Sequence, residues 1–173
     1  PVFCLLFIGV VAIYIAVSHD YPKNVWPIVG QQIAWIALGT VISLVIMLFN
    51  TKFLWQITPY LYVFGLALMV LPLIFYSSEL VASTGAKNWV TIGHVTLFQP
   101  SEFMKISYIL MLSRVVVNFL QRYKDRERTV KLDFFLIFEL ALYTLPVLIL
   151  LALQSDLGTA LVFIAIFSGI VLL

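Results

Sequence analysis

The residues best equipped for chemistry lie in the polar stretch Thr84 to Lys105, TGAKNWVTIGHVTLFQPSEFMK, and in a second polar break, Gln154-Ser155-Asp156-Leu157-Gly158-Thr159. Pro100-Ser101-Glu102 reads as a helix start. Pro sits where the chain turns, Ser101 can cap the free backbone N–H groups, and Glu102 favours the positive helix end. Lys105 follows Glu102 by three residues, so both project from one face. Either charge alone is expensive inside a bilayer, whereas the pair is tolerable at its boundary. Two readings stay open. In one, Lys105 snorkels outward and Glu102 caps, forming a plain anchor. In the other, Glu102 holds Lys105 in place as a cation facing an anionic ligand such as a phosphate.

In the second break Asp156 can serve as a helix N-cap, with Ser155 as the competing choice, and Gly158 permits close backbone approach. A buried carboxylate between two helix ends is the alternative. Upstream, Trp89-Val90-Thr91-Ile92 and Val95-Thr96-Leu97-Phe98 flank Gly93-His94, which fits a hairpin with a type II′ turn. Trp89 and Phe98 then lie near the lipid headgroups, as an aromatic belt rather than a base- or sugar-stacking platform. His94 at the tip reads as solvated.

These segments need elements to hold them, and composition says which. The chain of 173 residues is 63% hydrophobic and 10% charged, with mean hydropathy +1.10. A soluble domain is nearer a quarter charged. Apolar runs recur at about the length that crosses a hydrocarbon core of ~30 Å. The expectation is an all-α polytopic membrane protein forming one transmembrane helical domain over 1–173, with helices at about 1–17, 29–49, 53–76, 101–120, 133–153 and 157–173. A short hairpin-like segment stands outside the membrane. Ala16-Val17-Ser18 resembles a leader cleavage site, but no basic segment precedes the run and similar runs follow, so a first membrane helix is expected. Pro1 is not Met, and Leu173 lies within an apolar run, so both ends read as cut. The single cysteine, Cys4, excludes an internal disulfide. No P-loop, GxGxxG or HExxH is present, and nothing points to nucleic acid.

Basic residues orient the chain. The 121–132 loop holds Arg122, Lys124, Arg126, Arg128 and Lys131, and helix parity adds Lys52, against Lys23 and Lys87 opposite. That loop is expected to be cytoplasmic and the 77–100 segment extracytoplasmic, together with 18–28 and Asp156. The basic loop reads either as a topology determinant touching anionic lipid or as a dock for a cytoplasmic partner. Arg114 lies six residues before Leu120 and Glu139 six after Asp133. At ~1.5 Å per residue both reach ~9 Å inside the cytoplasmic boundary, so an Arg114–Glu139 ion pair is expected, unless Arg114 snorkels.

GAKNW, FQPSEFMK and QSDLGTA, in that order, resemble the SEDS (RodA/FtsW/SpoVE) family of bacterial cell-wall proteins. The resemblance spans the whole chain, looks most like the RodA branch of Gram-positive bacteria, and matches the N-terminal part only of a fold of about ten helices. It implies a glycosyltransferase that polymerises lipid II at the outer membrane face during cell elongation, with a class B penicillin-binding protein as partner. The family's motif residues map onto Lys87, Trp89, Gln99, Glu102, Lys105 and Asp156, as substrate- or pyrophosphate-binding or orienting groups. Two positions depart from the pattern. Asn88 stands where many members have a basic residue before the Trp, and Ser155 replaces the Pro of QPDLGT, which loosens the helix start. The family's proposed catalytic Asp lies in a later loop, so no catalytic residue is expected within this chain, which alone should be inactive. A divalent cation could sit at the pyrophosphate, but these residues form no recognisable metal cage.

Two rival readings carry different signatures. A lipid-precursor flippase predicts a charged path through the full membrane thickness, whereas the special residues here gather on one side. A scaffold that only recruits a transpeptidase would tolerate loss of Glu102 and Lys105.

Overall fold

A computed structural model describes residues 2–20, 25–92, 95–124 and 129–172. It is an all-α polytopic membrane protein with one small two-stranded hairpin. The helices are α1 (Val2–Asp20), α2 (Val25–Met47), α3 (Thr51–Ile74), the short α4 (Ser78–Thr84), α5 (Pro100–Arg122), α6 (Val130–Leu153) and α7 (Leu157–Val171); strands β1 (Val90–Ile92) and β2 (Val95–Phe98) stand between α4 and α5. Among the described residues, α1, α2, α3, α5 and α6 are long and apolar enough to cross a membrane, and α7 is shorter.

The element limits follow local chemistry. Trp26 and Pro27, read from the sequence as part of a loop, lie in the first turn of α2, where proline's missing N–H costs nothing. Helix α4 occupies a stretch expected to be loop, and Gly85 ends it at φ 74, its N–H donating to Val81 O at 2.8 Å. That left-handed cap suits glycine. The hairpin pairs Val90 with Phe98, Thr91 with Thr96 and Ile92 with Val95, with an irregularity between Val90 and Thr91. The type II′ turn expected at Gly93-His94 falls outside the described residues, as do Arg126 and Arg128 of the basic loop.

The chain forms two compact units, Pro1–Thr51 and Lys52–Leu173. In the first, α1 packs on α2, with the Tyr14 and Trp26 rings 6.4 Å apart. In the second, α5 packs against α6 and α7 around Tyr108, Leu112, Leu140, Val147, Leu151 and Phe163. Tyr108 and Thr144 share a hydrogen bond of 2.8 Å, and Thr144 also donates to Leu140 O, so both buried hydroxyls are satisfied. Helix α3 comes close to α5 at Gly65. A Cβ there would stand 2.7 Å from Met104 Sδ and 3.0 Å from Ser107 Oγ. Small residues permit such backbone approach in membranes, where helix packing lacks a hydrophobic drive.

The expected Arg114–Glu139 pair does not form. Arg114 Nη1 donates instead to the carbonyl of Trp55, and Glu139 pairs at long range with Arg122, 4.0 Å away. Equal depth on neighbouring helices sets height but not the direction in which each side chain leaves its helix.

Candidate functional site

The site is built where α6 gives way to α7. Gln154 ends α6, Ser155 turns the chain at φ 59, and Asp156 caps α7. The Asp156 carboxylate is buried and fully engaged. Its Oδ1 accepts the Thr159 N–H at 3.0 Å; its Oδ2 accepts the Thr159 hydroxyl at 2.8 Å, Asn88 Nδ2 at 2.8 Å and Gln99 Nε2 at 3.4 Å. Asp156 rather than Ser155 is thus the cap. Burial pushes this carboxyl upward. The Thr159 amide, the Asn88 amide, the Thr159 hydroxyl and the Lys105 ammonium outweigh it and hold the carboxyl below its ordinary value.

Main-chain bonds tie the hairpin segment to the same corner. Lys87 N–H donates to Gln154 O at 2.8 Å, and Thr91 N–H donates to Phe75 O, just past α3, at 3.1 Å. Gln154 is 2% exposed, and its Nε2 donates to Met69 O of α3 at 2.5 Å. The chain from 86 to 99 is therefore anchored at both of its ends to helix termini.

Helix α5 opens beside this knot. Gln99 is its N-cap in extended conformation and Pro100 its first residue. Ser101, expected to cap, lies one residue inside the helix, and its buried Oγ has no partner. Proline at the first helical position displaced the cap by two residues, because its locked φ is already helical. One turn on, Lys105 Nζ meets Glu102 Oε1 at 2.7 Å, with the lysine side chain 26% and the glutamate 61% exposed. This pair stays open to a ligand, unlike Asp156.

Of the residues singled out by sequence, Gln99 and Asp156 touch, Lys105 acts electrostatically on Asp156, and Glu102 holds Lys105. Lys87 joins through its main chain, while its Nζ lies 4.4 Å over the Tyr76 ring. Trp89 stands partly exposed at the entry to β1. Sequence reasoning passed over Asn88, Gln154 and Thr159 as site residues. Gln154 and Thr159 lie within the QSDLGTA run already quoted; Asn88 carried no signal beyond standing where a basic residue is usual. Gly158 needs no close approach, since an added Cβ would meet Asp156 Oδ1 at an ordinary 3.8 Å.

The family model of the cell cycle proteins FtsW, RodA and SpoVE matches residues 1–173. The chain belongs to this family. It is 30% identical over 171 residues to a probable peptidoglycan glycosyltransferase FtsW from Thiomicrospira cyclica, covering 97% of this chain and 41% of that protein. It is 28% identical to the peptidoglycan glycosyltransferase RodA of Treponema pallidum over 151 residues, 87% of this chain and 30% of the relative. Among solved structures, a chain from a peptidoglycan synthase complex that coordinates polymerization and crosslinking superposes with a TM-score of 0.66 at 25% identity, over 94% of this chain and 43% of that one. The chain thus spans less than half the length of these relatives.

The two departures from the FtsW/RodA/SpoVE pattern meet at one point. Asn88 contacts Asp156 directly, so the carboxylate is held here by neutral donors and not by a contacting cation. Lys87 does not take over that contact; its ammonium sits on Tyr76. Ser155 does more than loosen the helix start. At φ 59 it adopts a conformation that proline, locked near −65°, cannot reach.

Proposed function

We propose that this chain is the N-terminal part of a peptidoglycan glycosyltransferase that polymerises lipid II during cell elongation, working with a class B penicillin-binding protein. The hairpin end of the helices then faces the exterior and the 121–132 loop the cytoplasm. In this reaction a sugar hydroxyl of one lipid-linked disaccharide attacks the anomeric carbon of another, and a polyprenyl pyrophosphate leaves. A carboxylate takes the hydroxyl proton, and cations stabilise the leaving phosphates.

The observation that carries the reading is the Lys105–Glu102 pair. It is a short charge-assisted contact of 2.7 Å at the start of a membrane helix, still partly exposed. Lys105 is the cation offered to the pyrophosphate, Glu102 fixes its position, and Lys87 is a second cation on the same rim. Trp89, exposed at the entry to β1, supplies an apolar face in the same segment. Gln99 and Asp156 orient the segment rather than react. With four donors directed at the Asp156 carboxylate, one at Oδ1 and three at Oδ2, and its proton affinity lowered, it is a poor base, which supports placing the general base elsewhere in the whole protein.

In the full-length protein with its partner, Lys105→Ala and Glu102→Ala should each cut glycan polymerisation from lipid II by roughly 100-fold or more, while partner binding persists. Glycan ladders at the unaltered rate in both variants would refute the assignment. Sidedness is tested by His94→Cys with a membrane-impermeant thiol reagent on intact cells, in a Cys4→Ser background because Cys4 is itself exposed. Failure to label from outside, with labelling after permeabilisation, would invert the proposed orientation.

A further inference from the structure

Three prolines lie inside membrane-spanning helices of the second unit: Pro59 and Pro72 in α3, and Pro146 in α6. Each removes an N–H, so the carbonyl four residues earlier loses its helical donor. The ring also pushes the preceding turn open, which stretches the bond of the carbonyl three residues earlier. Hydrocarbon offers no water to either group, so a side chain from a neighbouring element that donates to one of them stabilises the turn.

At all three prolines a side chain from elsewhere in the fold donates to one of those two carbonyls. Arg114 of α5 donates to Trp55 O, four residues before Pro59, and its guanidinium lies 5.5 Å from the centroid of the Trp55 ring. Gln154, at the end of α6, donates to Met69 O, three residues before Pro72, at 2.5 Å. Tyr62 of α3 donates to Tyr143 O, three residues before Pro146, at 2.5 Å, with the two rings edge-on. These bonds join residues 59, 85 and 81 positions apart. By contrast, the bonds of Thr58 to Leu54 O and of Thr144 to Leu140 O stay within one turn of their own helix.

We infer that Arg114, Gln154 and Tyr62 are positioning residues, each matched to one proline, that fix the course of α3 and α6 where those prolines weaken the helix. The consequence reaches the candidate site because the far end of α3 is bonded to it, through Phe75 O to Thr91 and Met69 O to Gln154. From Pro59 to the end of α3 is about 22 Å at 1.5 Å per residue, so a change of ~20° in direction at Pro59 would move that end by ~8 Å. Arg114 thereby acts on a hairpin it does not touch. The inference rests on helix geometry and stands whether or not the site is catalytic.

A double-mutant cycle in the full-length protein, in lipid nanodiscs, tests it. Arg114→Met strips the donor from Trp55 O. Pro59→Ala gives that carbonyl back an intrahelical N–H. Amide exchange is read in residues 52–58 and 88–92. Arg114→Met should raise exchange in both segments by roughly tenfold or more, the scale of losing a charge-assisted hydrogen bond. In the Pro59→Ala background the same change should have less than about a threefold effect, because the partner it served is already satisfied. Should Arg114→Met fail to accumulate, recovery on adding Pro59→Ala supports this pairing and failure to recover overturns it. Equal loss in both backgrounds overturns it, and so does no loss in either, which is the outcome for an arginine that merely snorkels. Tyr62→Phe with Pro146→Ala repeats the cycle at the second helix and must show the same sign of coupling.

Discussion

Asp156→Ala is the sharpest test of how the hairpin segment is held. The substitution removes the N-cap of α7, worth about 0.5–2 kcal/mol, and strands the Asn88 and Gln99 amides that point at Oδ2 from 2.8 and 3.4 Å. Hydrogen bonds to a charged acceptor contribute about 1.5–3 kcal/mol each, but these share one carboxylate and do not add. A total loss of about 3–5 kcal/mol is expected, the scale for removing one partner from a buried charged network. The loss should be local first: residues 86–99 lose amide protection and gain protease sensitivity before the helices melt. Asp156→Asn keeps the shape and one carbonyl acceptor, and should fall about midway. The assay is thermal denaturation of the full-length protein in detergent, with amide exchange of 86–99 as the regional readout. A loss below about 1 kcal/mol for Asp156→Ala, or unchanged protection of 86–99, would show that the segment is held by its main-chain bonds alone.

The same carboxylate gives a pH dependence with a definite sign. Its value in the folded protein is lowered, so its stabilisation is fully present above the ordinary Asp range near pH 4 and fades as pH falls through the folded-state value. Protection of 86–99 should drop on acidification in the parent protein and stay flat in Asp156→Asn. Gly65→Ala should cost about 1–3 kcal/mol in thermal stability, since its Cβ would collide with Met104 Sδ. Gly30→Ala in α2, with open space around it, should be neutral or stabilising by about 0.5–1 kcal/mol. Ser155→Gly should raise stability by about 1 kcal/mol by relieving the left-handed φ. Ser155→Pro, by contrast, should break the Asn88–Asp156 contact and expose 86–99 to protease.

Legibility in the sequence varied with the range of the interaction. The Asp156 cap and the Glu102–Lys105 contact are both three-residue relationships, and both stand in the structure as the spacing implies. The hairpin was readable because two β-prone runs flank a turn signal. Ser101 was misjudged by two positions because proline's own preference for the first helical position competes with serine's preference for the cap. The left-handed φ of Ser155 is set by the meeting of α6 and α7 and has no local signal in the residue types around it. Asn88 was overlooked because its partner is 68 residues away.

From the amino acids alone came the solvent and part of the local chemistry: long apolar runs that only a bilayer can surround, and two contacts confined to one helical turn, the Asp156 cap and the Glu102–Lys105 pair. The partners across helices came only with the folded chain. Helices apolar nearly all round carry no stripe that sets their rotation, so depth can be counted from the sequence while direction cannot. Arg114 illustrates the difference. Its depth suggested Glu139; the packing of α5 against α3 turned it toward Trp55, where a proline had left a carbonyl without its donor.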